Sequence, residues 1–136
     1  MIKSMVEISK EIKYVCIING IIAIIYGFFY LIIPDIYRFV VDSTYYDPGM
    51  WRIFGATCFV IGGFNLLAAF KRNEWDQAKI VLEIGILWVL LLLVINIWEF
   101  IVIPGSATAK GNNAFNIALL IVILIYNNYF YYREIK

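Results

Sequence analysis

The sequence predicts an all-α fold, an antiparallel bundle of four transmembrane helices. Hydrophobic residues make up 63% of the chain and charged residues 15%, whereas soluble globular domains have roughly 45–50% and about 25%. A soluble chain of 136 residues would lack the polar surface to cover so much apolar material. Four separate segments each provide the run of about 20 mostly apolar residues that a spanning helix needs, and the alternating pattern of a membrane β-barrel is absent.

The four helices are predicted at residues 14–33, 52–70, 78–101 and 114–132, and together they define one transmembrane domain over residues 14–136. Helix-breaking and helix-capping residues mark their ends. The boundary residues are Pro34-Asp35 after the first helix, Asp47-Pro48 before the second, Pro104-Gly105 after the third, and Asn112 or Asn113 before the fourth.

Residues 1–13 are predicted to form a short amphipathic helix on the inner membrane surface. Met1, Met5, Ile8 and Ile12 share one face of such a helix, as expected for an interfacial segment; docking of a partner protein is the alternative. The first spanning segment carries no small-residue cleavage site, so we expect it to be retained rather than removed as a signal peptide.

The distribution of Lys and Arg predicts the orientation. Four spans place both termini and the connection between the second and third helices on one side of the bilayer. That side carries eight basic residues: Lys3, Lys10, Lys13, Lys71, Arg72, Lys79, Arg133 and Lys136. The opposite side carries Arg38, Arg52 and Lys110. Because basic residues concentrate in cytoplasmic loops, we expect a cell-membrane protein with both termini in the cytoplasm.

Each predicted helix has one face of small or polar residues, and small residues let helix backbones approach closely in lipid. The four faces are Cys16, Gly20, Ala23, Gly27 and Tyr30 in the first helix; Gly55, Cys58, Gly62, Asn65 and Ala69 in the second; Gly85, Trp88, Leu92, Asn96 and Glu99 in the third; and Asn116, Leu120, Ile123 and Asn127 in the fourth. We therefore expect these faces to close on one another in the bundle.

Polar residues near the outer helix ends form the candidate site, because each polar group inside a membrane is costly, by roughly 2.5–3.5 kcal/mol for a charge at the helix centre. We predict that Arg52 pairs with Glu99 and that three further residues complete a polar pocket: Tyr30, Asn96 and Asn116. Two interpretations remain open. The pocket is the head-group end of a cavity for a lipid, a quinone or another small molecule, or the ion pair merely fixes helix register. Glu83, near the inner end, is expected to reach cytoplasmic water; a proton- or cation-coupling role is the alternative.

Several function classes are disfavoured by the residues that are missing. The chain has no histidine, which removes the commonest metal ligand and the usual general base near neutral pH. Cys16 and Cys58 differ in depth by roughly 15 Å, too far for a disulfide, so a thiol oxidoreductase is not expected. The outer loop, residues 34–51, is expected to cover the bundle mouth; its acids lack the spacing of a calcium loop. No catalytic residue, metal or cofactor is predicted, and the near-neutral charge predicts no nucleic-acid partner.

Part of the chain resembles small DoxX-like four-helix membrane proteins of bacteria and archaea. The resemblance rests on Pro34-Asp35, on Arg52-Ile-Phe-Gly55, on Gly62-Gly63 and on Leu66-Leu67-Ala68. In that family a proline-acid pair ends the first helix and an R-x-x-G motif opens the second. The resemblance implies the four-helix fold rather than an activity, because most members are functionally obscure, and no site residue is taken from it.

These observations predict a non-catalytic membrane bundle that binds a lipid-like or small amphipathic ligand or serves as an accessory subunit. The expected partners are membrane lipid and a second copy of the chain or another membrane protein. One alternative is an oligomeric transporter of small solutes or ions, although few polar residues are available for a path. A second alternative is a membrane enzyme, for which no nucleophile-base pair is visible.

Overall fold

The computed structural model describes residues 6–136, and within them the chain is all-α, as predicted. The elements are α1 (Lys10–Gly27), a π-helical turn (Phe28–Ile32), α2 (Pro34–Val41), α3 (Pro48–Phe70), α4 (Trp75–Val102) and α5 (Ala107–Ile135). Four of the helical segments are long and apolar enough to cross a membrane: Lys10–Ile32, Pro48–Phe70, Trp75–Val102 and Ala107–Ile135. The chain is therefore a four-helix, multi-pass membrane bundle.

Side-chain caps start three of the spanning helices, and the cap of α3 by Asp47 is the predicted one. Ser9 Oγ accepts a hydrogen bond from the Ile12 backbone N–H at 3.2 Å, and Asp47 Oδ1 accepts from Gly49 at 2.9 Å, with Pro48 at the first helical position. Ser106 Oγ caps α5 by accepting from Ala109 at 3.2 Å. The prediction that Asn112 or Asn113 caps the last helix was therefore wrong, because Ser106 supplies the acceptor about two turns earlier.

The predicted interfacial helix is not formed by residues 6–9, and residues 1–5 lie outside the described part of the chain. Residues 6–9 are extended, not helical: the Ile8 N–H donates to Asn73 at 2.8 Å and the Trp75 N–H donates to Val6 at 2.8 Å. Asn73 and the first residue of α4 thus provide backbone partners for Ile8 and Val6, in place of the hydrogen bonds of a helical turn.

The connection after the first span contains a helix that the sequence did not predict. Pro34 opens α2, and Asp42 ends it in the left-handed conformation at φ 51°. Ile36, Phe39 and Val40 are exposed on this short helix. We refer to the end of the bundle with α2 and the α4–α5 connection as the loop end. The opposite end, with Lys10, the α3–α4 connection and Ile135, is the terminal end.

Glycines bring α1 and α3 into close contact, as the predicted small-residue faces required. A Cβ added to Gly20 would lie 3.1 Å from the Gly62 carbonyl oxygen, and one added to Gly27 would lie 3.1 Å from the Gly55 carbonyl oxygen. At Gly55 the added atom would lie only 2.5 Å from the backbone nitrogen of Leu31. The two backbones therefore pack against each other without side chains between them, and dispersion contacts replace the hydrophobic effect that lipid removes.

The bundle consists of two helix pairs. The first pair is α1 with α3, the second is α4 with α5, and contacts between the pairs are fewer than contacts within them. At the terminal end the pairs meet in a tightly packed cluster that includes Ile12, Cys16 and Leu82, each at most 1% exposed. Cys16 and Cys58 are both buried, and neither forms a disulfide. Towards the loop end the two pairs leave space between them.

Candidate functional site

An interior cavity of about 110 Å³ lies between the two helix pairs. Its wall is mostly apolar and aromatic, and each of the four predicted inward faces contributes residues to it. Each spanning helix provides part of the wall: α1 provides Ala23, α3 provides Cys58, α4 provides Gly85 and α5 provides Ile123. None of the described residues that line it is charged. Five asparagines supply most of its polar groups: Asn19, Asn65, Asn96, Asn116 and Asn127.

An asparagine pair closes the cavity towards the terminal end and joins the two helix pairs. Asn19 Nδ2 donates to Asn127 Oδ1 at 2.7 Å, and Asn127 Nδ2 donates to Asn19 Oδ1 at 3.1 Å. The Tyr126 hydroxyl also donates to Asn19. Asn127 belongs to the predicted inward face of the fourth helix, but its bonding to Asn19 and the contact of Tyr126 were not predicted. Glu83, at this same end, is exposed and accepts a hydrogen bond from the Tyr131 hydroxyl.

Asn65 carries an unsatisfied acceptor beside this cavity. The residue is 2% exposed, and its Nδ2 donates to the Ile61 carbonyl oxygen at 2.9 Å. That bond fixes the amide orientation, because a carbonyl oxygen can accept only from the nitrogen. Asn65 Oδ1 has no hydrogen-bond partner within the described chain. A buried acceptor left without a donor costs roughly 1–3 kcal/mol.

Replacing Asn65 by leucine should therefore stabilise the protein. We expect the free energy of unfolding to rise by about 1 kcal/mol, because the change removes the unsatisfied oxygen and places apolar atoms beside the cavity. Unfolding by SDS in mixed micelles, followed by circular dichroism, measures the change. Asn128→Leu is the matched control: Asn128 also donates to the carbonyl four residues earlier, at 2.8 Å, but does not line the cavity. A destabilised Asn65→Leu protein would show that Oδ1 is satisfied in the membrane.

A second, larger cavity of about 440 Å³ opens at the loop end. Four of the five predicted site residues line it: Tyr30, Asn96, Glu99 and Asn116. The π-helical turn carries Tyr30, and such turns are common at functional sites. Asn116 Oδ1 accepts from the Tyr26 hydroxyl at 2.8 Å. The two cavities adjoin, since five residues line both: Tyr30, Phe54, Leu92, Asn96 and Asn116.

The predicted Arg52–Glu99 ion pair was wrong. Arg52 Nη2 lies 3.8 Å from Asp35 Oδ2, with both side chains largely exposed, and Arg52 lines neither cavity. The reason is α2, which places Asp35 beside the first turn of α3, whereas Glu99 faces the loop-end cavity. Within residues 6–136, no ion pair includes Glu99. An ion pair as exposed as Arg52–Asp35 contributes at most about 1 kcal/mol to stability.

The Tyr46 hydroxyl donates to the same Asp35 carboxylate. Desolvation and then this hydrogen bond raise the pKa of Tyr46. The hydrogen bond should therefore stabilise the fold fully below the ordinary tyrosine pKa of about 10 and be lost as the pH rises through the raised pKa. The difference in phenolate absorbance between the wild type and the Tyr46→Phe variant isolates the titration of Tyr46, and it should give a raised pKa. The Asp35→Asn substitution should lower this pKa of Tyr46. Titration of Tyr46 at or below the ordinary pKa would contradict this assignment.

Several cavity residues were not predicted from the sequence. Tyr26 precedes Tyr30 by one helical turn on the same face, so helical periodicity alone could have indicated it. Trp51 and Phe54 line the loop-end cavity from α3, but outside the small-residue face of that helix. Lys110 also lines this cavity, and its Nζ donates to the Ile103 carbonyl oxygen at 2.6 Å. It was predicted to lie in a connection because α5 was expected to start after it.

No protein-family model matches this chain, and neither a curated protein nor a solved structure matches it.

Proposed function

We propose that the protein is a non-catalytic membrane bundle that binds a lipid-like or small amphipathic ligand between its two helix pairs. The observation that carries this proposal is the continuity of the two cavities. The loop-end cavity contains two charged side chains, the interior cavity is uncharged and largely apolar, and Tyr30, Asn96 and Asn116 line both. A ligand with a polar end and an apolar body matches this gradient. The loop-end cavity alone, at about 440 Å³, has the size of a small-molecule site, roughly 300–1,000 Å³.

The proposal includes a cell-membrane location with both termini in the cytoplasm. The basic residues at the terminal end outnumber those at the loop end, which supports this orientation through the preference of Lys and Arg for cytoplasmic loops. The ligand's polar end would then lie near the outer surface. The resemblance to DoxX-like proteins remains a prediction and adds no activity to the proposal.

An oligomeric transporter is the second candidate, and the asparagines along the interior cavity favour it. A transported solute would have to be neutral, because the cavity offers no charged partner and an unpaired charge in low dielectric is costly. The packed cluster around Ile12, Cys16 and Leu82 would also have to open at the terminal end. Ligand binding requires no such opening, so it ranks first.

Native mass spectrometry tests the proposed function directly. The wild-type protein, extracted in mild detergent, should retain a small amphiphile. Gly85 lines the interior cavity, and a Cβ added there meets no atom within 4 Å, so Gly85→Leu should fill the cavity without disturbing the backbone. We expect the retained ligand to fall at least about tenfold, equivalent to about 1.4 kcal/mol of binding free energy.

The matched control is Gly63→Leu. A Cβ at Gly63 also meets nothing within 4 Å, but Gly63 does not line the interior cavity. This variant should retain ligand like the wild type. A wild-type protein that emerges without any bound amphiphile, or equal retention in the Gly85→Leu variant, would refute the proposed function.

A further inference from the structure

Aromatic rings form one wall of the loop-end cavity. Tyr30, Trp51 and Phe54 line it from the first helix pair. The Tyr30 ring lies 4.9 Å from Trp51 at an interplanar angle of 47° and 4.8 Å from Phe54 at 83°. At such angles the rings do not form a parallel stack; they surround Tyr30 with ring planes in different orientations. Tyr45, on the connection after α2, lines the same cavity.

Glu99 lines the cavity from α4, in the second helix pair. It is half-buried, and no ion pair in the described part of the chain includes it. A carboxylate that is partly withdrawn from water is costly unless a cation or hydrogen-bond donors compensate it. The cavity therefore combines a carboxylate without an ionic partner and several aromatic rings.

Lys110 is the other charged residue in this cavity, and its ammonium group is already engaged. Its Nζ donates to the carbonyl oxygens of Phe100 and Ile103, which lie in the last turn of α4 and just after it. The lysine thus compensates the partial negative charge at the end of that helix rather than the Glu99 carboxylate. Glu99 remains available to a cation from outside the chain.

We propose that the loop-end cavity binds an organic cation, an ammonium or quaternary ammonium group, between the aromatic wall and Glu99. The faces of aromatic rings attract cations, and aromatic cages recognise quaternary ammonium groups; the carboxylate supplies the opposite charge. This inference rests on the proposed function, because it specifies the polar end of the ligand. It also disfavours an anionic head group, which Glu99 would repel.

Choline and its uncharged carbon analogue 3,3-dimethyl-1-butanol separate cation recognition from simple hydrophobic binding. The probes are titrated by calorimetry into the full chain in a neutral detergent. Choline should bind at least about tenfold more tightly than the analogue. Glu99→Gln and Trp51→Leu should each reduce choline affinity at least about fivefold and leave the analogue unchanged. Asp42→Asn is the matched control, an exposed loop-end acid outside the cavity whose left-handed conformation asparagine tolerates.

A free organic cation and an amphiphile with a cationic head share this chemistry, and dodecyltrimethylammonium distinguishes them. If dodecyltrimethylammonium binds at least about tenfold more tightly than choline, and the Gly85→Leu variant loses this gain, the ligand is an amphiphile with a cationic head. If both bind equally and Gly85→Leu changes nothing, the cation site stands while the proposed amphiphile function fails. If choline and its analogue bind alike, or if Glu99→Gln leaves choline affinity unchanged, the cation inference is overturned.

Discussion

Replacing Gly55 by leucine should lower the free energy of unfolding by about 3 kcal/mol or more. Even the first added atom would lie 2.5 Å from the Leu31 nitrogen and 2.9 Å from the Tyr30 carbonyl carbon. Both are backbone atoms of the π-helical turn, so no side-chain rotation relieves the overlap, and this turn must move away from α3. Their separation also removes many close dispersion contacts at once. SDS-induced unfolding in mixed micelles measures the loss.

Gly63→Leu tests whether the effect comes from the helix contact rather than from losing a glycine. Gly63 lies in the same helix, and an added Cβ there meets nothing within 4 Å. The unfolding free energy of Gly63→Leu should change by less than about 0.5 kcal/mol, as for a surface site away from the helix contact. Equal stabilities of Gly55→Leu and Gly63→Leu would mean that the π-helical turn and α3 do not approach as closely as described.

The second large effect is expected at the asparagine pair near the terminal end. Asn127→Leu should destabilise the protein by about 2 kcal/mol. Asn127 is 4% exposed, and its loss removes the only acceptor that Asn19 Nδ2 has in the described chain, at 2.7 Å. A hydrogen bond between membrane helices contributes about 0.6 kcal/mol on average, and the unsatisfied Asn19 amide adds its own cost.

Asn128→Leu is again the neighbouring control. Asn127 and Asn128 both donate to the carbonyl four residues earlier, each at 2.8 Å, so the comparison isolates the contact with Asn19. A double-mutant cycle of Asn127→Leu with Asn19→Leu should give a coupling energy of about 1 kcal/mol. Additive single effects would indicate that the two amides do not bond to each other in the membrane.

Much of the fold could be predicted because lipid imposes simple constraints. Long apolar segments must satisfy their backbone groups internally, which leaves helices, and close packing without side chains requires small residues. Gly20 and Gly62 are therefore recognisable as contact residues from the sequence alone. The depth of a residue along a helix also follows from its position, and Tyr30, Asn96, Glu99 and Asn116, which share a depth, line one cavity.

What could not be predicted depends on how elements lie beside one another. Arg52 and Glu99 share a depth, but depth does not determine which neighbour a side chain faces, and the unpredicted α2 brought Asp35 closer to Arg52. Residues 6–9 offered helical periodicity, yet backbone pairing with the α3–α4 connection satisfied the same hydrogen-bonding groups. Long-range contacts of this kind leave no local pattern in the sequence.

The order of the helix pairs along the chain has a consequence for biogenesis. Each pair is a hairpin of two successive spans, so the first hairpin can lock through its glycines while the ribosome is still synthesising the second. The last event in assembly is then the lateral docking of two completed hairpins within the bilayer. The two cavities come into existence only at that step, and under the proposed function a membrane-dissolved ligand would be enclosed as the hairpins meet.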